Sequence, residues 1–99
     1  MENSKDSAPI AERYKFILFI SGMSTKSSRA IENLREICDT YIPDNFDLQI
    51  IDISNEEQQA VEHQIIGVPT LIKTHPNPQR TILGDLSDTE KVLRILDLY

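Results

Sequence analysis

The chain has 99 residues, 39% of them apolar and 26% charged, with a formal net charge of −6. That length allows one domain with one core, and no run approaches the roughly 18 apolar residues of a membrane span. Ten scattered Lys and Arg against sixteen Asp and Glu argue against nucleic acid as a partner, and a single cysteine with two histidines allows neither an internal disulfide nor a metal cluster.

Residues 1–12, MENSKDSAPIAE, contain no apolar secretory region. Their composition predicts a flexible tail ahead of one domain over 13–99 in a cytoplasmic protein. The acidic surface suits either plain solubility or a basic patch on a partner protein.

Tyr14, Phe16, Leu18 and Ile20 alternate with Ile17 and Phe19, so YKFILFI predicts an interior strand with apolar contacts on both faces. After the loop SGMST the period changes. Ala30, Ile31, Leu34, Ile37, Cys38 and Tyr41 recur at helical spacing, with Ser24 or Thr25 as the cap and Pro43 as the stop. Cys38 lies on the buried stripe, as a small core residue. FDLQIIDI (46–53) predicts a second strand, also two-sided and central, completing a parallel βαβ unit. SNEEQQAVEHQI (54–65) predicts a short, weakly held helix capped by Ser54 or Asn55. Strands over 67–74 and 80–84 flank the turn PNPQ. Ser87 and Glu90 have the spacing of a capping box ahead of a last helix carrying Val92, Ile95, Leu96 and Tyr99.

The order β-α-β-α-β-β-α predicts an α/β fold of thioredoxin-like type, a four-stranded mixed sheet with helices on both faces. Pro69, opening a strand beside Gly67, invites a cis peptide. The junction where thioredoxin-like oxidoreductases carry Cys-x-x-Cys reads Ser24-Thr25-Lys26-Ser27 here. A serine there caps a helix and forms no disulfide. No phosphate loop, carboxylate pair or Ser-His-Asp set appears, so the chain is expected to be no enzyme, to need no cofactor, and to act through a binding surface.

FILFISGMSTKSSRAIENL, and more specifically PTLIKTHPNPQRTILGDLSDTEKVLRILDL, resemble the KaiB family of circadian-clock proteins over about residues 13–99. The resemblance implies a regulatory protein that binds KaiC, a hexameric ATPase, and a metamorphic fold with a tetrameric form beside the thioredoxin-like one. It also implies a homo-oligomer, dimer or tetramer, in at least one state. The alternatives are a KaiB-like sensor module acting on a histidine kinase, and a thioredoxin-like protein that has lost its redox site. Arg29, Lys73 and Arg80 match basic positions of the family. With Gln58, Gln59, Glu62 and Gln64 on the second helix and just beyond it, they are the expected partner-binding residues.

The chain departs from the family's pattern at four places. Gln64 stands where a lysine is usual, Thr81 where an arginine pair is usual, Asn55-Glu56-Glu57 where a Lys-Asn-Pro-like run is usual, and Ile95 where many members carry glycine. Less positive charge and a firmer last helix imply a diverged member, serving a different KaiC-type ATPase or a stress-adaptation role, that favours the thioredoxin-like form.

Overall fold

The computed structural model describes residues 13–98; the expected tail over 1–12, and Tyr99, lie outside them. Strand β1 is Tyr14–Ile20, helix α1 Thr25–Tyr41, strand β2 Phe46–Asp52, helix α2 Glu57–Glu62, strand β3 Thr70–His75, strand β4 Arg80–Leu83 and helix α3 Thr89–Ile95. The strands form one mixed sheet in the order β2-β1-β3-β4. β1 is parallel to β2, and β3 is antiparallel to both β1 and β4. This is the thioredoxin-like arrangement that the element order predicts.

The alternation in β1 sorts its side chains into two layers. Phe16, Leu18 and Ile20 join Ala30, Leu34, Ile37 and Cys38 of α1 and Val92, Leu93 and Leu96 of the α3 region in the main core. Phe19 points the other way, into a small cluster with Ile51 and Ile72 beneath Ile65 and Val68. Among the described residues α2 is the one helix over that second layer. It is six residues long and buries none of them.

Among the described residues β2 lies at an edge of the sheet, not at its centre. Asp47 and Gln49 are exposed and only Ile51 is buried. Apolar residues on both faces identify the layers above and below a strand and are silent about its lateral neighbours, and α2 is too short to cover the rest of the face.

The ends of the helices differ from expectation in ways that individual side chains explain. Ser24 caps α1, its hydroxyl accepting from the Ser27 amide at 3.2 Å. At the other end Tyr41 is 46% exposed, and Ile42 enters the core in its place; the Ile42 amide bonds to the Cys38 carbonyl at 2.9 Å. Neither Ser54 nor Asn55 caps α2. The Asp52 carboxylate holds the Ser54 amide at 3.0 Å and its hydroxyl at 2.6 Å, which leaves Glu56 at the cap position with no side-chain bond. Asp88, not Ser87, caps α3, accepting from the Lys91 amide at 3.1 Å. Gly84 and Leu86 both take positive φ, 125° and 65°. That turn leaves the Ser87 amide bonded to the Asp85 carboxylate, one residue short of the cap. The expected box between Ser87 and Glu90 is therefore absent, and Glu90 pairs with Arg94 at 3.7 Å.

The peptide bond before Pro69 is cis, as are those before Pro76 and Pro78 in the hairpin loop. Pro69 is fully buried. Residues 67–69 form a turn closed by the Thr70 hydroxyl donating to the Gly67 carbonyl at 2.6 Å, so β3 begins at Thr70.

Candidate binding surface

Two loops meet where β1 ends. The Asp52 carboxylate, which binds Ser54, also accepts from the Gly22 amide at 3.0 Å. One side chain thus ties the β1–α1 loop to the entrance of α2. These bonds hold the Asp52 carboxyl below its ordinary range, the Ser54 hydroxyl contributing most, then the Gly22 and Ser54 amides.

α2 itself is polar. Gln58 donates to the Glu62 carboxylate at 3.2 Å, one turn along. The Gln59 carbonyl receives the His63 amide at 3.1 Å and lies 3.0 Å from His63 Nδ1. The His63 ring meets the Phe19 ring at a centroid distance of 5.0 Å, which fastens the end of the helix to the sheet. Gln64 follows with φ at 56°, a left-handed turn that stops the helix. Gln58, Gln59, Glu62 and Gln64 therefore lie together on one short segment, with Glu56 and Glu57 beside them.

The other expected partner residues lie elsewhere. Arg29 is exposed on α1, against the main core, and its charge helps depress the Asp85 carboxyl. Arg80, at the start of β4, pairs with Asp97 at 3.7 Å on the side of α3. Lys73 was expected to offer a surface charge and does not. It is 1% exposed, in the main core layer, with its ammonium 6.0 Å from the centre of the Tyr14 ring. A lysine at an inward position of a sheet has a long stem that packs like an aliphatic residue, and the strand's alternation carries it inside. The seven expected residues thus form one group on α2 and its exit, two separate cations on the opposite layer, and one buried cation.

Sequence reading missed an apolar surface. Ile66 is 94% exposed, Val61 73% and Leu83 58%. Ile66 and Leu83 border a groove with His63, Gln64, Gln79 and Thr81. Gly67 in the α2–β3 loop lies beside Leu83, 3.4 Å separating the position of a Cβ there from Leu83 Cδ1, an ordinary contact distance. The available signal was the pair Ile65-Ile66 beyond the helix: in extended backbone consecutive side chains point to opposite sides.

Cys38 is completely buried, and desolvation, with Asp39 adding and Arg35 opposing, pushes its thiol up to about 12. It is an unreactive core residue. Among the described residues no group of His, Cys, Asp and Glu could hold a metal ion, and no helix is long and apolar enough to cross a membrane.

The fold is similar to that of the N-terminal domain of Synechococcus elongatus SasA, with a TM-score of 0.73 at 19% identity, covering 99% of this chain and 96% of that one. It is also similar to yeast mitochondrial thioredoxin 3, with a TM-score of 0.69 at 17% identity, covering 89% and 81%. At these identities the likeness concerns the fold alone. In sequence the chain is 44% identical over 81 residues to the circadian clock protein KaiB3 of a Synechocystis species, covering 82% of this chain and 79% of that one. It is 41% identical over 91 residues to the circadian clock oscillator protein KaiB of Trichodesmium erythraeum, covering 92% and 88%. The KaiB domain model matches residues 17–98, and the chain belongs to the KaiB family.

Proposed function

We propose that the chain is a non-enzymatic regulatory protein that binds a KaiC-type ATPase in the cytoplasm, in a clock or a stress-adaptation role. Beyond family membership, the observation that carries this reading is the α2 segment. None of its side chains is fully buried, its cap position has no side-chain bond, and the His63–Phe19 contact anchors its far end. A rigid sheet thereby presents Gln58, Gln59, Glu62 and Gln64 on a segment that can adjust to a partner at little cost to the core. Arg29 and Arg80 are peripheral charges in this reading. Lys73 contributes through packing, since no partner can reach it in this form.

The test is size-exclusion chromatography with light scattering, using the chain and the KaiC-type ATPase of its host in the presence of ATP. A co-eluting complex is expected, weakened at least about tenfold by Glu62→Lys combined with Gln58→Ala, a loss of about 1.4 kcal/mol. No complex, or one indifferent to the double variant, contradicts the reading.

A further inference from the structure

α2 is too short to cover its face of the sheet, and a groove lies beside it. Thr70 stands opposite Leu83 and Ile72 opposite Thr81 where β3 pairs with β4. These four side chains form the floor of the groove, and the exit of α2, from His63 to Ile66, forms its wall. It holds about 340 Å³, and none of its lining residues is Asp, Glu, Lys or Arg. The buried Thr70 hydroxyl already donates to the Gly67 carbonyl at 2.6 Å, so an apolar occupant leaves it satisfied. Among the described residues Ile66 on the border is 94% exposed, Leu83 58% and Val61 of α2 73%. A small molecule seated on the floor would leave most of Ile66 and Val61 in water. Covering all three takes the breadth of a protein segment.

Charge selects the kind of protein. Residues 48–72 contain Asp52, Glu56, Glu57 and Glu62 but no Lys or Arg, although the whole chain has ten. Glu56, Glu57 and Glu62 are exposed. Among the described residues none of the three pairs with a cation, and Glu62 accepts a bond from Gln58 alone. Glu62 joins the two regions. It shares a polar depression with Glu56 and Glu57, and its neighbour His63 begins the wall of the groove. The surface is thus an uncharged floor with an acidic rim on one side, the usual anatomy of a protein interface. It repels nucleic-acid phosphates and anionic headgroups, and attracts a surface whose apolar residues are flanked by cations.

We propose that this groove and its acidic rim dock a partner-protein segment that presents aliphatic side chains flanked by Lys or Arg. The aliphatic side chains seat on the floor against Ile66 and Leu83. The flanking cations lie over Glu57 and Glu62. Burial of the aliphatic groups holds the complex, and the carboxylates decide which segments are admitted, since an acidic flank would meet like charge. The inference rests on the binding reading above and names the chemistry that the partner's contact face must carry.

NMR of the whole chain tests it with two short synthetic peptides that share one leucine and valine sequence, one flanked by lysines and the other by glutamates. The lysine-flanked peptide should shift the Ile66 and Leu83 methyls and the Glu62 and Gln64 amides, and should bind at least about tenfold more tightly than the other. Ile66→Ser should weaken both peptides. Glu57→Gln combined with Glu62→Gln should remove the difference between them; these side chains are exposed, so the fold is kept. Equal binding of the two peptides, no binding of either, or shifts confined to another face would overturn the proposal. The same double variant, with added salt, separates this inference from the ATPase reading. A complex with the host's KaiC-type ATPase that neither the variant nor salt weakens overturns the inference and leaves that reading standing. Peptide discrimination as described, without any ATPase complex, supports the inference and overturns that reading.

Discussion

Lys73 lies in β3 opposite Phe16, 1% exposed, with its ammonium over the Tyr14 ring and no carboxylate beside it among the described residues. A cation–π contact offsets about 0.5–2 kcal/mol, whereas taking an ammonium out of water costs several kcal/mol. Its aliphatic stem packs well, so the charge alone is unfavourable to the fold. Lys73→Met keeps the length and removes the charge, and should raise the free energy of urea unfolding by about 1–4 kcal/mol. A loss of stability would mean that the ammonium has a stronger partner than the Tyr14 ring. The sequence hid this because strand alternation could be read from Leu71 and Ile72, but a lysine in the same run looked like a surface residue. Cys38 was legible for the opposite reason: its spacing placed it on the same helical stripe as Leu34, and a small thiol causes no conflict there.

At the scale of elements, the strands and α1 follow from periodicity, and the shorter helices are decided by competition between neighbouring polar side chains. Ser54 had the chemistry of a cap, but Asp52 claims it first. Ser87 had the spacing of a capping box, but Asp85 holds its amide and Asp88 takes the cap. Such contests turn on a residue or two and leave no trace in hydrophobic pattern. α3 has a further determinant in Ile95, its last residue, half-buried against the main core. Ile95→Gly gives up part of that burial and adds the helix cost of glycine, which together should lower stability by about 1–2 kcal/mol. Equal urea midpoints for the two proteins would show that α3 does not depend on this position.

For the whole molecule, the layer order was legible because two-sided β1 and one-sided α1 admit few arrangements. The lateral order was not: β2 carries apolar residues on both faces and still lies at an edge. The apolar surface at Ile66 and Leu83 escaped notice because each residue alone fits a strand or its approach. The same map of polar bonds sets the response to acid. Asp52 and Asp85 both have carboxyls held below the ordinary range, by Ser54 with Gly22 and by Ser87 respectively. Each binds its proton less readily folded than unfolded, so its contribution is complete above the unfolded value near pH 4 and is lost as the pH falls below it. Urea midpoints should therefore hold steady from about pH 7 to 5 and drop below about pH 4, and Asp52→Asn should soften the drop. A midpoint that rises on acidification would contradict this assignment.

The proposed binding function stands or falls on where a partner touches the chain. The most direct measurement is amide exchange of the whole chain, alone and with the ATP-loaded KaiC-type ATPase of its host. The predicted result is new protection over Glu57–Glu62 and through Gln64, with the interior amides of α1 unchanged. Full binding with no protection anywhere on α2 or its exit would contradict the account, and would place the binding surface on another face of the sheet.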